Sequence, residues 1–221
     1  MRTLVVNFKN YGDIQGEGSV RLAQAAQRVH SKTGVEIIVA PPTPLLALVA
    51  SRVSIPVYSQ SVGVEVGDKT TGAVIPEAVK GSGATGTILN HSESRQSLRD
   101  LKRFMPRLRQ LSLEVCLCAA TTAEVRQLAA LGSKFLAVEP PDLIGSGVAV
   151  SKARPEVVTQ SVQAARGAGF RGSVLCGAGI VSGEDVKKAV ELGADGVLVS
   201  SSVVKSGDWR SKLEELADSL K

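Results

Sequence analysis

The segment TLVVNFKNYGD, residues 3–13, decides between the two folds that the pattern of this chain allows. A short apolar run is followed by the polar side chains of Asn7 and Lys9. An open doubly wound sheet that binds a dinucleotide carries a glycine fingerprint directly after its first strand. Polar side chains at this point fit a (β/α)8 barrel, which has its active site at the carboxyl ends of its strands. We therefore predict an α/β chain folded as a barrel.

The same unit, an apolar run followed by an amphipathic segment, recurs along the chain. Runs rich in β-branched residues predict eight strands, at residues 3–8, 35–40, 56–60, 87–90, 113–118, 135–139, 173–176 and 196–200. Helical patterns lie between them, several with Ser or Thr at the N-cap and with Gly132, Gly169 and Gly193 at C-cap positions. Because no Pro-rich or Gly/Ser-rich linker interrupts the series, we expect residues 1–221 to form one domain.

Composition and charge limit the function classes. With 43% hydrophobic and 21% charged residues, the chain is typical of a soluble globular protein. A net charge of +5 favours an anionic ligand. Much of the excess lies in RQSLRDLKRFMPRLRQ, residues 95–110, a predicted helix with a solvated basic face that Pro106 should kink or end. Phe104 is its single aromatic residue, which argues against a groove for single-stranded nucleic acid, so we expect no such partner.

Location and cofactor use follow from what the sequence lacks. The first residues, MRTLVVNFKN, do not have the features of a secretory signal, and no apolar stretch approaches the roughly 18 residues of a membrane span. We expect a cytoplasmic protein without a membrane partner. Cys116, Cys118 and Cys176 lie in apolar runs and should be buried, reduced thiols. Two distant histidines and scattered cysteines form no ligand cluster, so we expect no metal.

Four motifs fall at the ends of predicted strands. They are N-x-K at residues 7–9, N-H-S-E-x-R at 90–95, V-E-P-P-x-L-I-G-x-G at 138–147 and C-G-A-G-I at 176–180. In this order they make the chain resemble the triosephosphate isomerase family, in its short archaeal form, over essentially its whole length. The resemblance implies an α/β (β/α)8 TIM barrel. It also implies interconversion of dihydroxyacetone phosphate and D-glyceraldehyde 3-phosphate through an enediolate, in glycolysis and gluconeogenesis, with no cofactor.

The chemistry of such a reaction needs a base, an electrophile and positive charge. Glu139 is the candidate base, because a carboxylate partly removed from water at a strand end has a raised pKa and is a better base near neutral pH. His91 is the candidate electrophile, and we expect the positive end of the following helix to keep its imidazole neutral. The resemblance implies this pairing of glutamate and neutral histidine. Lys9 would attract the phosphate and stabilise the developing oxyanion.

Further residues are expected to support these three. Asn7 interrupts an apolar strand, which is costly unless its amide is hydrogen-bonded, and it should point inward together with Lys9. Glu93 could pair with Lys9, orient the histidine segment or simply begin a helix. The resemblance implies that the substrate and its phosphate are bound by Asn7, Phe8, Lys9, Ile144, Gly145, Gly179, Ser200 and Ser201. Small residues after strand 7 would let the chain approach an anion closely.

Two segments concern the lid and the phosphate loop. Pro140 and Pro141 should stiffen one hinge of a loop whose Gly-Ser-Gly tip, residues 145–147, closes over the phosphate. In VSSSVV, residues 199–204, Ser202 replaces a glycine of the family. A serine there would be strained if the backbone needs a positive φ, although extra hydroxyls could equally serve as donors.

The segment SQSVGVEVGDKTTGAVIPEA, residues 59–78, resembles the family's long loop that inserts into a neighbouring subunit near Lys9. We expect at least a dimer, and by resemblance a tetramer.

Two alternatives to the triosephosphate isomerase function remain open. Another sugar-phosphate isomerase barrel would explain the ends of strands 7 and 8 but not Asn7, His91 and Glu139. A basic nucleic-acid-binding module on a barrel scaffold is the second, and it predicts steeply salt-dependent binding.

Overall fold

A computed structural model describes residues 2–65, 68–140 and 149–221. Eight parallel strands form one sheet in the order β2-β1-β8-β7-β6-β5-β4-β3. The strands are β1 Thr3–Asn7, β2 Glu36–Ala40, β3 Tyr58–Ser59, β4 Gly86–Leu89, β5 Glu114–Ala119, β6 Phe135–Val138, β7 Ser173–Cys176 and β8 Gly196–Val199. A parallel bridge between Val39 and Val57 joins the two ends of this order. The predicted (β/α)8 barrel is confirmed.

Helices alternate with the strands. They are α1 Glu17–Thr33, α2 Leu46–Ala50, α3 Pro76–Gly81, α4 Leu98–Gln110, α5 Thr122–Ala129, α6 Val150–Ala153, α7 Pro155–Gly167, α8 Gly183–Glu191, α9 Ser201–Val204 and α10 Trp209–Asp218. Short 3-10 turns cover Gly12–Ile14 and Thr43–Leu45. The sequence predicted that Pro106 would either kink or end this helical segment. Helix α4 continues through Pro106 to Gln110, so the proline does not end it.

The predicted strands lie in the right places, but five of them were predicted one residue too long at the carboxyl end. Phe8, Gln60, Asn90, Glu139 and Ser200 all follow the last paired residue of their strands. The pairing stops because the chain turns towards the barrel mouth there, as the positive φ of 60° at Asn90 illustrates. Strand β3 is also shorter at its start, since a proline at position 56 has no N–H to donate to a ladder.

Side chains alternate between two apolar layers, as expected for strands buried on both faces. The barrel interior is filled by Val5, Ile38, Ala40, Tyr58, Ile88, Cys116, Cys118, Phe135, Ala137, Leu175 and Leu198. A larger cluster packs between the strands and the helices, and it includes Leu4, Val6 and Phe8 of the first strand and the residue after it. The three cysteines are buried and free of disulfides, as predicted. Asn7, Asn90, His91 and Glu139 are buried polar residues at one end of the barrel. Within the strands, the buried hydroxyls of Ser59 and Thr87 satisfy each other by a hydrogen bond of 2.8 Å.

A polar cluster closes the amino-terminal end of the barrel. Nζ of Lys134 lies 3.1 Å from Glu36 Oε1 and 2.9 Å from Glu114 Oε1. The Tyr58 hydroxyl donates to Glu114 Oε2 at 2.6 Å, and the Thr3 hydroxyl donates to Glu36 Oε2 at 2.7 Å. Burial opposes the charge on Lys134, but its hydrogen bonds to Glu114 and Glu36 outweigh this and raise its pKa. The cluster joins four strands at the end opposite the candidate site.

Candidate active site

A cavity of about 140 Å³ opens at the carboxyl ends of the strands. Its lining comprises Asn7, Lys9, Tyr11, His91, Glu139, Gly177, Gly179, Ile180, Val181, Leu198, Val199, Ser200, Ser201 and Ser202. The barrel thus brings together residues from the ends of β1, β4, β6, β7 and β8, which are separated by up to nearly 200 positions in sequence. Tyr11 and Val181 line the cavity although the sequence did not single them out, whereas the sequence had offered the hydroxyl of Ser202 as a possible donor in the phosphate loop.

Glu139 is the buried carboxylate of this cavity. Only 4% of the residue is exposed, and no described residue forms a hydrogen bond with its Oε2 atom. Burial raises the pKa of Glu139, and this effect outweighs His91, the Cys118 thiol and Lys9, each of which lowers it. Gly177 lies against this side chain, because a Cβ atom there would stand 2.5 Å from Glu139 Cγ. The glycine after β7 therefore makes room for the carboxylate.

His91 faces Glu139 across the mouth. Its Nε2 lies 3.7 Å from Glu139 Oε1, and its Nδ1 accepts a hydrogen bond from the main-chain N–H of Glu93 at 3.2 Å. Helix α4 begins only at Leu98. The N–H that bonds His91 Nδ1 therefore belongs to the segment between β4 and α4 and not to the first turn of that helix. A neutral imidazole that accepts at Nδ1 carries its proton on Nε2, which is the atom directed at the cavity.

Lys9 and Asn7 form the positive side of the mouth. Lys9 has a left-handed backbone with φ 49°, and its N–H donates to Asn7 Oδ1 at 3.0 Å. Its Nζ lies 2.7 Å from Glu93 Oε1. Gln60, which the sequence did not single out, donates from Nε2 to the carbonyls of Lys9 and Ala40 at 2.9 and 3.0 Å. Asn7 is thus hydrogen-bonded as its burial requires, and a turn rather than strand alternation directs Lys9 inward.

Asn90 fixes the segment that carries His91. Its Nδ2 donates to Cys118 O and to Glu124 Oε1, both at 2.9 Å, and its Oδ1 accepts from the N–H of Gln96 at 3.0 Å. Arg95 also bonds Glu124 Oε1. Sequence reasoning assigned no role to Asn90 beyond its place in the motif, although a buried Asn beside a candidate histidine was a usable signal.

The turn after β7 supplies another wall of the cavity. Gly179 has a φ of 72°, a conformation that side chains other than glycine rarely adopt. Ile180 and Val181 follow it along the cavity wall. Small residues and exposed main chain at this position are suited to an anion, because N–H groups can reach it without interference from side chains.

The turn after β8 carries the serines. Ser200 has a φ of −144°, and neither Ser201 nor Ser202 has a positive φ, so the strain considered for Ser202 is not present. The hydroxyls of Ser200 and Ser202 are buried and have no hydrogen-bond partner among the described residues. Two donors without partners therefore lie in the wall of the cavity.

The remaining predicted residues fall elsewhere. Phe8 is fully buried in the outer core and does not line the cavity, so only its main chain could meet a ligand. Ile144 and Gly145, with Pro141 and the Gly-Ser-Gly tip, lie outside the described residues. His30 is in α1, where its Nδ1 lies 2.7 Å from Val35 O, far from the mouth in the fold.

Within the described ranges, no group of three or more His, Cys, Asp or Glu side chains could hold a metal ion. The helices of the same ranges include none with the length and apolar character needed to cross a membrane.

Comparison with known proteins agrees with the geometry. A family model described as triosephosphate isomerase matches residues 2–216. A triosephosphate isomerase of Pyrobaculum arsenaticum is 46% identical over 98% of this chain and 97% of its own length. Those of Methanothermus fervidus and Methanocaldococcus jannaschii are 44% and 40% identical, each over 96% of this chain and 96% and 97% of their own lengths. The chain belongs to the triosephosphate isomerase family.

Proposed function

We propose that this protein interconverts dihydroxyacetone phosphate and D-glyceraldehyde 3-phosphate through an enediolate. The observation that carries the proposal is the placement of a buried carboxylate, Glu139, 3.7 Å from Nε2 of His91 in a cavity whose walls suit an anion. Family membership supports the same substrate class. The pathway context that goes with this reaction is glycolysis and gluconeogenesis.

Glu139 acts as the base in this mechanism. It removes a proton from the substrate carbon and returns it to the adjacent one. The raised pKa of this carboxyl, caused by its burial, supports the assignment, since a stronger base is better matched to a carbon acid. One oxygen is unpartnered among the described residues, so it is available to the substrate.

His91 acts as the electrophile. The Glu93 main-chain N–H occupies Nδ1, which leaves the Nε2 proton free to bond the substrate oxygen on which negative charge develops. Such a donor, already oriented before the reaction, stabilises the enediolate more than it stabilises the neutral carbonyl.

Lys9 contributes positive charge, and Asn7 helps to orient Lys9 by accepting a hydrogen bond from its main-chain N–H. The Lys9 side chain is 16% exposed and lines the mouth, where a phosphorylated triose would meet its ammonium group. Glu93 holds it there and is a supporting residue. The phosphate would lie against Gly179, Ser200 and Ser201, and by family resemblance Ile144 and Gly145 would cover it. The mechanism has no step that requires a metal or cofactor.

Assembly and location complete the proposal. The chain would act as one domain in a cytoplasmic homo-oligomer, a tetramer by resemblance. Support for a subunit contact comes from Val64 in the long loop, an apolar side chain that remains 36% exposed in the single chain. Sedimentation velocity at micromolar concentration measures this, and a monomer alone would refute it.

A coupled turnover assay tests the activity. Glu139→Ala and Lys9→Ala should each remove most of it, while Glu191→Ala, on the outer helix α8, should match wild type. Wild-type rates in both site variants would refute the mechanism. Turnover of a different sugar phosphate, with none of the trioses, would support the alternative isomerase.

A further inference from the structure

Asp185 joins the turn after β7 to the helix that follows it. The residue lies in the first turn of α8 and is 2% exposed. All three bonds to the turn end on one atom, Oδ2, which accepts from Val181 N–H at 3.0 Å, Ser182 N–H at 2.9 Å and the Ser182 hydroxyl at 3.0 Å. The carboxylate therefore holds the last residues of the turn by their main chain.

The other oxygen of Asp185 makes a different connection. Oδ1 lies 2.9 Å from Nζ of Lys152 in α6, and the Ser151 hydroxyl donates to the main-chain oxygen of Asp185 at 3.3 Å. Burial disfavours the charge on Asp185, but the hydrogen bonds from Lys152, Val181 and Ser182 outweigh it and lower its pKa. The group is thus a carboxylate at neutral pH, with its two oxygens serving two separate segments.

The turn that Oδ2 holds shapes both halves of the candidate site. Gly177 lies in contact with Glu139, and Gly179, Ile180 and Val181 line the anion side of the cavity. Val181 is 40% exposed, so its side chain is not buried deeply enough to anchor the turn. Its position depends instead on the N–H bond to Asp185.

We propose that Asp185 is a positioning residue for anion binding: its Oδ2 atom fixes the Gly177–Val181 turn in the form that receives the phosphate group. This inference rests on the proposed function for the identity of the substrate, but it concerns the anion alone. If the acceptor is lost, two N–H groups are left without their partner and the turn relaxes away from the phosphate position. Because Gly177 moves with the turn, the space beside Glu139 changes as well.

The test uses inorganic phosphate as the probe, titrated by calorimetry into the full chain at pH 7.5. Asp185→Ala should weaken phosphate binding by about tenfold. Asp208→Ala is the matched control, because Asp208 caps α10 through bonds to the Ser211 N–H and hydroxyl, at 3.1 and 2.7 Å, outside the cavity. It should change phosphate affinity by less than about twofold. Equal weakening in the two variants would overturn the proposal.

Two further variants separate the oxygens. Asp185→Asn can keep a carbonyl oxygen at the Oδ2 position. Lys152→Met removes the partner of Oδ1, together with an exposed ion pair to Glu184, and leaves the bonds of Oδ2 in place. Both variants should keep phosphate affinity within about threefold of wild type. A loss in Lys152→Met equal to that in Asp185→Ala would show that the ion pair matters and would refute the role of Oδ2. If Asp185→Ala does not fold, Asp185→Ser takes its place. The serine side chain is too short to reach the N–H groups of both Val181 and Ser182.

The test of Asp185 can fail or succeed independently of the proposed function. If the wild-type chain binds phosphate but does not isomerise trioses, the proposed function is refuted. The phosphate affinities of the variants would still decide the role of Asp185. With turnover present, Asp185→Ala should raise KM more than it lowers kcat, since phosphate contacts are made in both ground and transition states. A wild-type chain that binds no phosphate at tens of millimolar would overturn the inference itself.

Discussion

His91 Nε2 and Glu139 Oε1 stand 3.7 Å apart at the barrel mouth, with side chains that are 7% and 5% exposed. This separation is too long for a hydrogen bond, so neither group satisfies the other. A donor and a basic carboxylate held at this distance can instead address neighbouring atoms of one small substrate. The pair comes from the ends of β4 and β6, so closure of the barrel sets the distance between the two groups.

Replacing Glu139 by Gln should lower kcat by about 10²–10⁴-fold, the range of general-base contributions, with little effect on KM. The same change should not lower stability at pH 7. The folded-state pKa of Glu139 is raised, so its favourable contribution to folding is present below the unfolded pKa and is lost as pH rises through the folded pKa. At neutral pH the carboxylate therefore disfavours folding, and the neutral amide removes that effect.

Calorimetric melting at pH 7 and pH 4 checks the stability half of this prediction. The variant should melt at or above the wild-type temperature at pH 7, and the difference should shrink at pH 4. A melting temperature well below wild type at pH 7 would mean that Glu139 is structural.

The acid limb of kcat/KM against pH should report Glu139 and lie above the ordinary range of a glutamate. The Cys118 thiol lowers the pKa of this carboxyl by hydrogen bonding. Cys118→Ala should therefore move the acid limb to higher pH, whereas Cys176→Ala should leave it in place. Steady-state kinetics across pH 4–8 measures both, and an unmoved limb in Cys118→Ala contradicts the assignment.

Lys9→Met should reduce kcat/KM by at least about 10²-fold, because it removes the cation that meets the phosphate and the developing oxyanion. Glu93→Gln should cost about tenfold, since Lys9 loses the partner 2.7 Å away that holds it but keeps its charge. The inhibition constant of inorganic phosphate should rise in both variants, and it should rise more in Lys9→Met than in Glu93→Gln. A larger effect of Glu93→Gln than of Lys9→Met would reverse the roles given to them.

Ser200→Ala should leave the unliganded protein as stable as wild type, because its buried hydroxyl has no partner among the described residues. Ser59→Ala is the contrast: its hydroxyl donates to Thr87 Oγ1 at 2.8 Å in the core, and its loss should cost about 1–2 kcal/mol. Urea unfolding compares the two. In the presence of saturating phosphate, Ser200→Ala should gain less stability than wild type, and an equal gain would show that the hydroxyl does not contact the ligand.

Lys134→Met should destabilise the fold without changing catalysis, because it breaks the cluster at the far end of the barrel. Since Lys134 is 36% exposed, solvent weakens its ion pairs, and we expect a loss of about 1–2 kcal/mol in the free energy of unfolding. Lys188→Met, whose partner Glu191 is largely exposed, should cost under about 0.5 kcal/mol. If Lys134→Met lowers kcat under conditions in which the variant is fully folded, the two ends of the barrel do not have separate roles in stability and catalysis.

Local pattern determined much of the fold. The β-branched runs placed all eight strands, because a strand buried on both faces needs apolar residues wherever it lies. Lys9, His91 and Glu139 stood out because each follows such a run, and in a barrel all strand ends meet at one mouth. The strand limits were less well predicted, since pairing ends where a turn such as that at Asn90 begins, and a turn leaves little trace in hydrophobicity.

The sequence by itself therefore determined the barrel, the family and the residues at its mouth, through patterns that repeat locally along the chain. Only the tertiary structure decided which groups support them: Gln60 on Lys9, Asn90 with Glu124, and Asp185 with Lys152. Their partners are 33 to 51 positions apart, and a hydrogen bond depends on distances within a fraction of an ångström. Such contacts arise only when the strands have closed, because closure brings separate segments within reach of one another.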